Sequence, residues 1–279
     1  MRRAARLSLF AAVVSLASLS SLVRVAPATA APTWAPAASA PIHPGVQTFT
    51  SGSQCTANFV FIDGVNVFIG QAAHCAGTGA ATDTDGCLAA TRPVGTPVTV
   101  TGATRPGTIV YSSWVTMQTL GERDANTCAY NDLALIQLDP ADATRVNPSI
   151  PTWGGPVGIN TGGAPLLSRV YSYGNSELRL GLTTLSPKTG VSLGDTGGGW
   201  EHEVETVTPG VPGDSGSAFL DANGRALGIL STVAVLPIPL SNGVGDIARE
   251  LDYMHTHGGP AATLALGTEP FRAGALPLG

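Results

Sequence analysis

The stretch Val211-Pro212-Gly213-Asp214-Ser215-Gly216-Ser217 sets a serine where its hydroxyl could react. Glycines on both sides let the backbone turn sharply and leave the side chain exposed. They also let two backbone N–H groups aim at one point, as a developing anion requires. A serine hydroxyl is a poor nucleophile at neutral pH and needs a positioned base. Residue types suited to that task lie upstream: a histidine in Ala72-Ala73-His74-Cys75 and an aspartate in Asn131-Asp132-Leu133-Ala134-Leu135-Ile136. Taken singly, each stretch has a plain structural reading. Gly, Asp and Ser are ordinary turn residues, His74 could be a core histidine, and Asp132 a cap.

The elements that must position these residues read as β. Charged residues are only 12% of the chain, with 35 glycines and 21 prolines, a balance that favours strands and turns over helices. Residues 55–62 form a strand, Asp63-Gly64 a hairpin turn and 65–70 the return strand, which leaves His74 just past a strand end, able to reach a cleft. Short β runs follow over 97–100 and 108–111. Residues 131–138 read as a largely buried strand that opens on Asp132, and a carboxylate there is costly unless hydrogen-bonded. Residues 140–163 are turn-rich and read as the connection between two β halves. Strands are expected near 168–173, 178–182, 202–206, 217–220 and 226–235, the last two joined by an Asn223-Gly224 hairpin. One helix is expected, over 245–255, with Ile247, Leu251 and Met254 on one face and Asp246 as cap.

The chain has 279 residues, 43% of them hydrophobic, enough for one large domain or two small ones sharing a cleft. Residues 1–30 carry the marks of a secretory signal peptide: Arg2, Arg3 and Arg6, an apolar run over 7–22, and the small-residue site Ala28-Thr29-Ala30. An uncleaved anchor is the competing reading. Residues 31–53, rich in Pro, Ala and Thr, read as a linker or short pro-segment, and 258–279 as a flexible tail. A net charge of −5 with no basic cluster argues against nucleic acid as the main partner. Cys55, Cys75, Cys87 and Cys128 are even in number and lie in the part expected to be exported, so two disulfides are expected, with three pairings open. The Cys-x-x-Cys spacing of a zinc site is missing. Asp83-Thr84-Asp85-Gly86 lacks the downstream acid of a calcium loop and reads as a turn. His202, His255 and His257 read as surface residues, and Glu201-His202-Glu203 as a face of mixed charge. Neither metal nor cofactor is expected.

Together, the three stretches resemble the chymotrypsin-like (trypsin-like) serine peptidases, in a bacterial secreted form, from about Cys55 to His255, which implies a peptidase domain over 54–257. They occur in that family's order, His, then Asp, then Ser. The resemblance implies two six-stranded antiparallel β-barrels divided near 140–165, the active site between them and a C-terminal helix. It implies catalytic roles for His74 (base), Asp132 (orienting carboxylate) and Ser215 (nucleophile), and an oxyanion hole from the N–H groups of Gly213 and Ser215. It makes Ser231 a hydrogen-bond partner of the aspartate at the substrate-binding edge. It also implies the pairings Cys55–Cys75 and Cys87–Cys128. The pattern departs from family members that cleave after Lys or Arg. Pro209 stands at the pocket base where those have Asp, Val233 stands where open pockets have Gly, and the cysteine pair framing the pocket is missing. A preference for small or medium apolar side chains is therefore expected. No Ile-Val-type N-terminus is visible to pair with Asp214, so Asp214 needs another cation, with Arg169 and Arg179 as candidates, and the protein should be competent without an activating cut. The implied function is a secreted serine endopeptidase acting on protein or peptide, with no stable membrane association after signal cleavage and a monomer as the default. A non-catalytic binding protein on the same scaffold and an esterase with the same triad are the alternatives.

Overall fold

The computed structural model describes residues 32–80, 82–233 and 241–274, apart from the side chain of Val233. The signal-peptide reading of 1–30 therefore lies outside the described residues. The first seven strands are β1 (Gln47–Thr50), β2 (Ser53–Thr56), β3 (Val60–Asp63), β4 (Asn66–Ala72), β5 (Pro97–Val100), β6 (Gly107–Ser112) and β7 (Leu133–Gln137). The next six are β8 (Arg169–Tyr173), β9 (Pro187–Thr196), β10 (Glu201–Thr206), β11 (Ala218–Leu220), β12 (Ala226–Val233) and β13 (Asn242–Asp246), and β14 (Thr263–Leu264) comes last. Strands β8 to β13 close into a six-stranded antiparallel barrel in the order β10-β13-β12-β11-β8-β9. The first half differs from the expected second barrel. It is an eight-stranded sheet in the order β14-β3-β4-β7-β6-β5-β1-β2, and it does not close.

Three apolar clusters hold this arrangement. One lies inside the open sheet (Val60, Ile69, Val98, Ile109, Ile136) and one inside the closed barrel (Val170, Val204, Phe219, Leu230, Val244). The third joins the halves: Phe59 and Leu133 meet Tyr171, Leu220 and the helix α3 (Ile247–Thr256) through Ile247, Leu251 and Met254. These three residues recur at helical spacing on one face, and Asp246 caps the helix by accepting the Arg249 N–H at 2.8 Å. Two further helices, α1 (Ser113–Leu120) and α2 (Ala125–Tyr130), lie between β6 and β7 where none was expected. Their apolar signal is thin, since α1 buries only Ser113, Trp114 and Met117. Their ends are marked instead, by the caps Ser112 and Asp124 and by Gly121 in the left-handed conformation.

Several boundaries are corrected. The supposed linker enters the fold: β1 pairs with β2 and β5, and Ile42 and Val46 are buried with the core of the open sheet. Alternation of Val46, Thr48 and Thr50 inward carries this strand, a pattern hidden by the Pro/Ala-rich composition around it. Residues 178–182 are not a strand. They contain a single 3₁₀ turn, Glu177–Arg179, ended by Leu180 with φ of 51°. Residues 187–196, for which no strand is expected from the sequence, form the longest strand of the barrel.

The tail also folds. Residue pairs Thr263–Ile62 and Leu264–Phe61 attach β14 to β3, Ala262 and Ala265 are buried, and Phe271 packs edge-on against Tyr171. A chain ending at residue 257 should be destabilised by about 3–5 kcal/mol, from the apolar groups exposed and the backbone bonds lost. A urea midpoint equal to that of the full chain would overturn this.

Candidate active site

His74 lies in a 3₁₀ turn, Ala73–Ala76, that ends β4, and Asp132 immediately precedes β7, the neighbour of β4 in the sheet. Pairing of Ala72 with Leu133 brings the two residues side by side across 58 positions of sequence. Asp132 is buried, and every polar atom of it has a described partner. Its Oδ1 accepts the His74 backbone N–H at 2.8 Å, and its Oδ2 accepts both the His74 Nδ1–H and the Ser231 hydroxyl at 2.6 Å. Its backbone C=O accepts the Ala73 N–H, and its own N–H donates to Glu250 Oε1 at 2.9 Å. This set of bonds meets the desolvation cost that the sequence raised. A carboxylate at Nδ1 fixes the proton there and leaves Nε2 as the free ring acceptor. Burial alone would lower the pKa of His74. The Asp132 charge and hydrogen bond outweigh it, and the ring stands above the ordinary histidine value.

Ser215 sits in the turn before β11. That turn is pinned from both halves. Thr56 N–H donates to Ser215 O at 2.9 Å, Thr56 Oγ1 and Gln54 Nε2 donate to Gly213 O at 2.8 and 3.0 Å, and Gly216 N–H donates to Leu230 O at 2.7 Å. The glycines are required here. Gly213 has φ of 95°, and a Cβ on Gly216 would lie 2.6 Å from Thr56 O and 2.8 Å from Ala72 N. Among the described residues, the N–H groups of Gly213 and Ser215 donate to no partner. Ser215 shares a cleft of about 800 Å³ with His74 and Asp132. No hydrogen bond links its hydroxyl to the His74 ring within the described residues, and such contacts tighten when substrate binds. His74, Asp132, Gly213 and Ser215 thus line one cleft, with the Gly213 and Ser215 N–H groups free among the described residues.

The other site residues are placed unevenly. Ser231 and Thr232 line the cleft with Gly210, Val211, Pro212 and Leu230. Pro209 does not. Its carbonyl turns inward and accepts from Lys188 Nζ at 3.0 Å. Val233 ends β12, paired with Asn242. Trp114, from the unforeseen α1, walls the cleft beside His74, with ring centroids 6.4 Å apart. Both disulfides, Cys55–Cys75 and Cys87–Cys128, are formed. The first ties the β2 edge to the His74 turn, and the second ties the loop before β5 to α2.

Asp214 is buried and holds two cations: Arg179, through Nε and Nη2, and Lys188 Nζ at 3.1 Å. Arg169 is exposed and takes no part. Burial pushes the Asp214 carboxyl up, but Arg179 and Lys188 hold it below the usual carboxylate range. Lys188 is fully buried, and its desolvation pulls it down to about 8 despite Asp214. Sequence reasoning missed it, although it is the chain's only lysine beside 13 arginines. His202, expected at the surface, is buried between Asp195 (Nδ1, 2.7 Å) and Asp246 (Nε2, 2.9 Å). With a carboxylate at each nitrogen the ring is held as the cation, and Asp195 and Asp246 raise it against the effect of burial. It anchors the α3 cap to β9. His255 and His257 lie at the exposed end of α3.

Comparison with protein-family models and with curated proteins finds no match. Among solved structures, Thermobifida fusca Protease A matches with a TM-score of 0.51 at 16% identity, over 81% of this chain and 99% of that one. Cellulomonas bogoriensis chymotrypsin gives 0.47 at 16% identity, over 80% and 98% of the two chains. Nocardiopsis protease gives 0.45 at 16%, over 80% and 98%. The first of these matches shows a fold shared with Thermobifida fusca Protease A, with the first half of this chain open. Among the described residues no helix is long and apolar enough to cross a membrane.

Proposed function

We propose that the protein is a secreted serine endopeptidase that cleaves peptide bonds through an acyl-enzyme. The observation that carries this reading is the Asp132 carboxylate, which takes the His74 Nδ1–H and the Ser231 hydroxyl on one oxygen beside a serine whose loop keeps two N–H donors free. In this reading Ser215 Oγ attacks the substrate carbonyl carbon while His74 Nε2 takes its proton. The Gly213 and Ser215 N–H groups receive the oxyanion, worth about 3–4 kcal/mol per donor in the barrier. His74 then protonates the leaving amine, and water repeats the sequence on the ester. Asp132 keeps the ring in the required tautomer and stabilises the imidazolium. The apolar walls at Val211 and Leu230 favour small or medium apolar side chains before the cut.

Arg179 and Lys188 on Asp214 do the work that a released N-terminus would otherwise do, so the enzyme needs no activating cut. Two disulfides and the signal-peptide reading of 1–30 support export. The substrate class is protein or peptide, without a cofactor or metal. A fluorophosphonate probe tests this directly. It should label the purified protein and leave a Ser215→Ala variant unlabelled, and amide as well as ester substrates should turn over. A folded parent that takes no label would instead support a non-catalytic binding protein, and ester turnover alone would support an esterase.

A further inference from the structure

Glu250 lies on α3 between Ile247 and Met254, on the face turned to the protein interior, and is fully buried. A carboxyl group at such a place needs a reason. Among the described residues no cation pairs with it. Among those residues its one hydrogen bond is from the backbone N–H of Asp132, accepted by Oε1 at 2.9 Å across 118 positions of sequence, and its Oε2 has no partner. The space is shaped around it: a Cβ on Gly245 would stand 2.7 Å from Glu250 Oε1 and 3.1 Å from Tyr130 O.

We propose that Glu250 is a positioning residue for the Asp132–His74 pair, fixing the Asp132 backbone from the C-terminal helix. This deepens the proposed peptidase reading and rests on it for its kinetic consequence. The other bonds of Asp132 come from the first half: its carbonyl is held by Ala73 and Oδ1 by the His74 N–H, while Ser231 of the second half reaches Oδ2. The N–H is the last free coordinate, and Glu250 closes it. A rotation of this peptide unit would swing Oδ2 away from His74 Nδ1.

The neutral form follows from the surroundings. The groups facing Glu250 are Asp132 beside β7, Tyr111 on β6, and Asp246, the cap of α3 at the end of β13, all neutral or anionic. Burial first, then repulsion from Asp132 and Asp246, drives the carboxyl well above its ordinary value. An ionised Glu250 would instead add a second negative charge behind Asp132 and push the His74 ring further up.

Two variants and two readouts test this in the purified protein. Glu250→Gln keeps an Oε1 acceptor without charge. It should leave kcat within about twofold and leave the acid limb of the kcat/KM profile in place. Glu250→Leu orphans a buried N–H and should lower kcat about 10- to 100-fold with little change in KM. Gly245→Ala, which crowds Oε1 without replacing Glu250, should lower kcat in the same direction and covers the case in which the leucine variant does not fold. The second readout is the low-field proton resonance of His74 Nδ1–H, identified by its loss in His74→Ala. It should persist in Glu250→Gln and shift or broaden in the other two, whether or not Ser215 is reactive. That separates failure of this inference from failure of the peptidase reading. An acid limb moved to lower pH in Glu250→Gln would overturn the uncharged state. An unchanged Nδ1–H resonance in folded Glu250→Leu or Gly245→Ala would overturn the positioning role.

Discussion

An Asp132→Asn variant should fold and lose about four orders of magnitude in kcat, the cost of holding the base histidine in the wrong tautomer. The geometry gives the reason. The Asn carbonyl must take the Oδ1 position, because the His74 backbone N–H donates there at 2.8 Å. The NH₂ then occupies the Oδ2 position and faces the His74 Nδ1, 2.6 Å away in the parent. Nδ1 can meet it only as an acceptor, so the ring proton moves to Nε2, the nitrogen that must take the Ser215 proton. The fold is spared, since Ser231 can rotate its hydroxyl to accept and the backbone N–H at position 132 still donates to Glu250.

The pH profile should change as well. His74 stands above the ordinary histidine value because Asp132 overrides the opposite pull of burial. Parent activity therefore rises as pH climbs through that raised value. With the charge removed, burial prevails, the ring loses its proton at lower pH, and the acid limb of the residual activity should move down. Nitrogen NMR of the imidazole reads the tautomer directly. A variant with near-parent kcat, or with its proton still on Nδ1, would remove Asp132 from the proposed mechanism.

The contrast between this residue and Glu250 shows what the sequence made legible. Asp132 stands at the mouth of an apolar strand beside a second motif, and both are local signals. Glu250 was equally visible in principle, because Ile247, Glu250, Leu251 and Met254 share one helical face, yet a helix is usually read through its apolar members. Other features depend on contacts that no local pattern records. The pairing of Lys188 with Asp214, and of His202 with Asp195 and Asp246, is fixed by barrel closure, which sets strands distant in sequence side by side. Composition misled at both ends of the domain. Pro, Ala and Gly around β1 and β14 describe the turns, whereas a few inward residues, Val46 and Ala265 among them, decide whether the segment packs. The open first half has the same origin, since β14 adds to the β3 edge as β1 and β2 extend the other side.

The second large effect is expected at Asp214. Asp214→Asn keeps the side chain's shape, and its carbonyl can still accept from Val211 or Ser176. It leaves Arg179 and the fully buried Lys188 without their anion, a loss of about 3–5 kcal/mol for a broken buried pair. The two cations are not equivalent. Arg179 reaches Asp214 through two nitrogens. Lys188 is already pulled down to about 8 by burial, so it is the charge the interior tolerates least. Lys188→Met keeps the Arg179–Asp214 pair and takes one donor from each of the carbonyls of Thr208 and Pro209, which keep Thr206 Oγ1 and Arg179 Nη2, a smaller loss of about 1–3 kcal/mol. Combining Lys188→Met with Asp214→Asn removes one uncompensated cation and should recover part of the Asp214→Asn loss, a departure from additivity that a double-mutant cycle reads from urea midpoints. The same turn carries the Gly213 and Ser215 N–H groups, so fluorophosphonate labelling of Asp214→Asn should fall about 10²-fold, the order of one lost oxyanion donor, even where the variant is fully folded. If the double variant is as unstable as the two single losses added together, charge balance is not what holds this turn. If Asp214→Asn labels at the parent rate, the turn does not need Asp214 to present its donors.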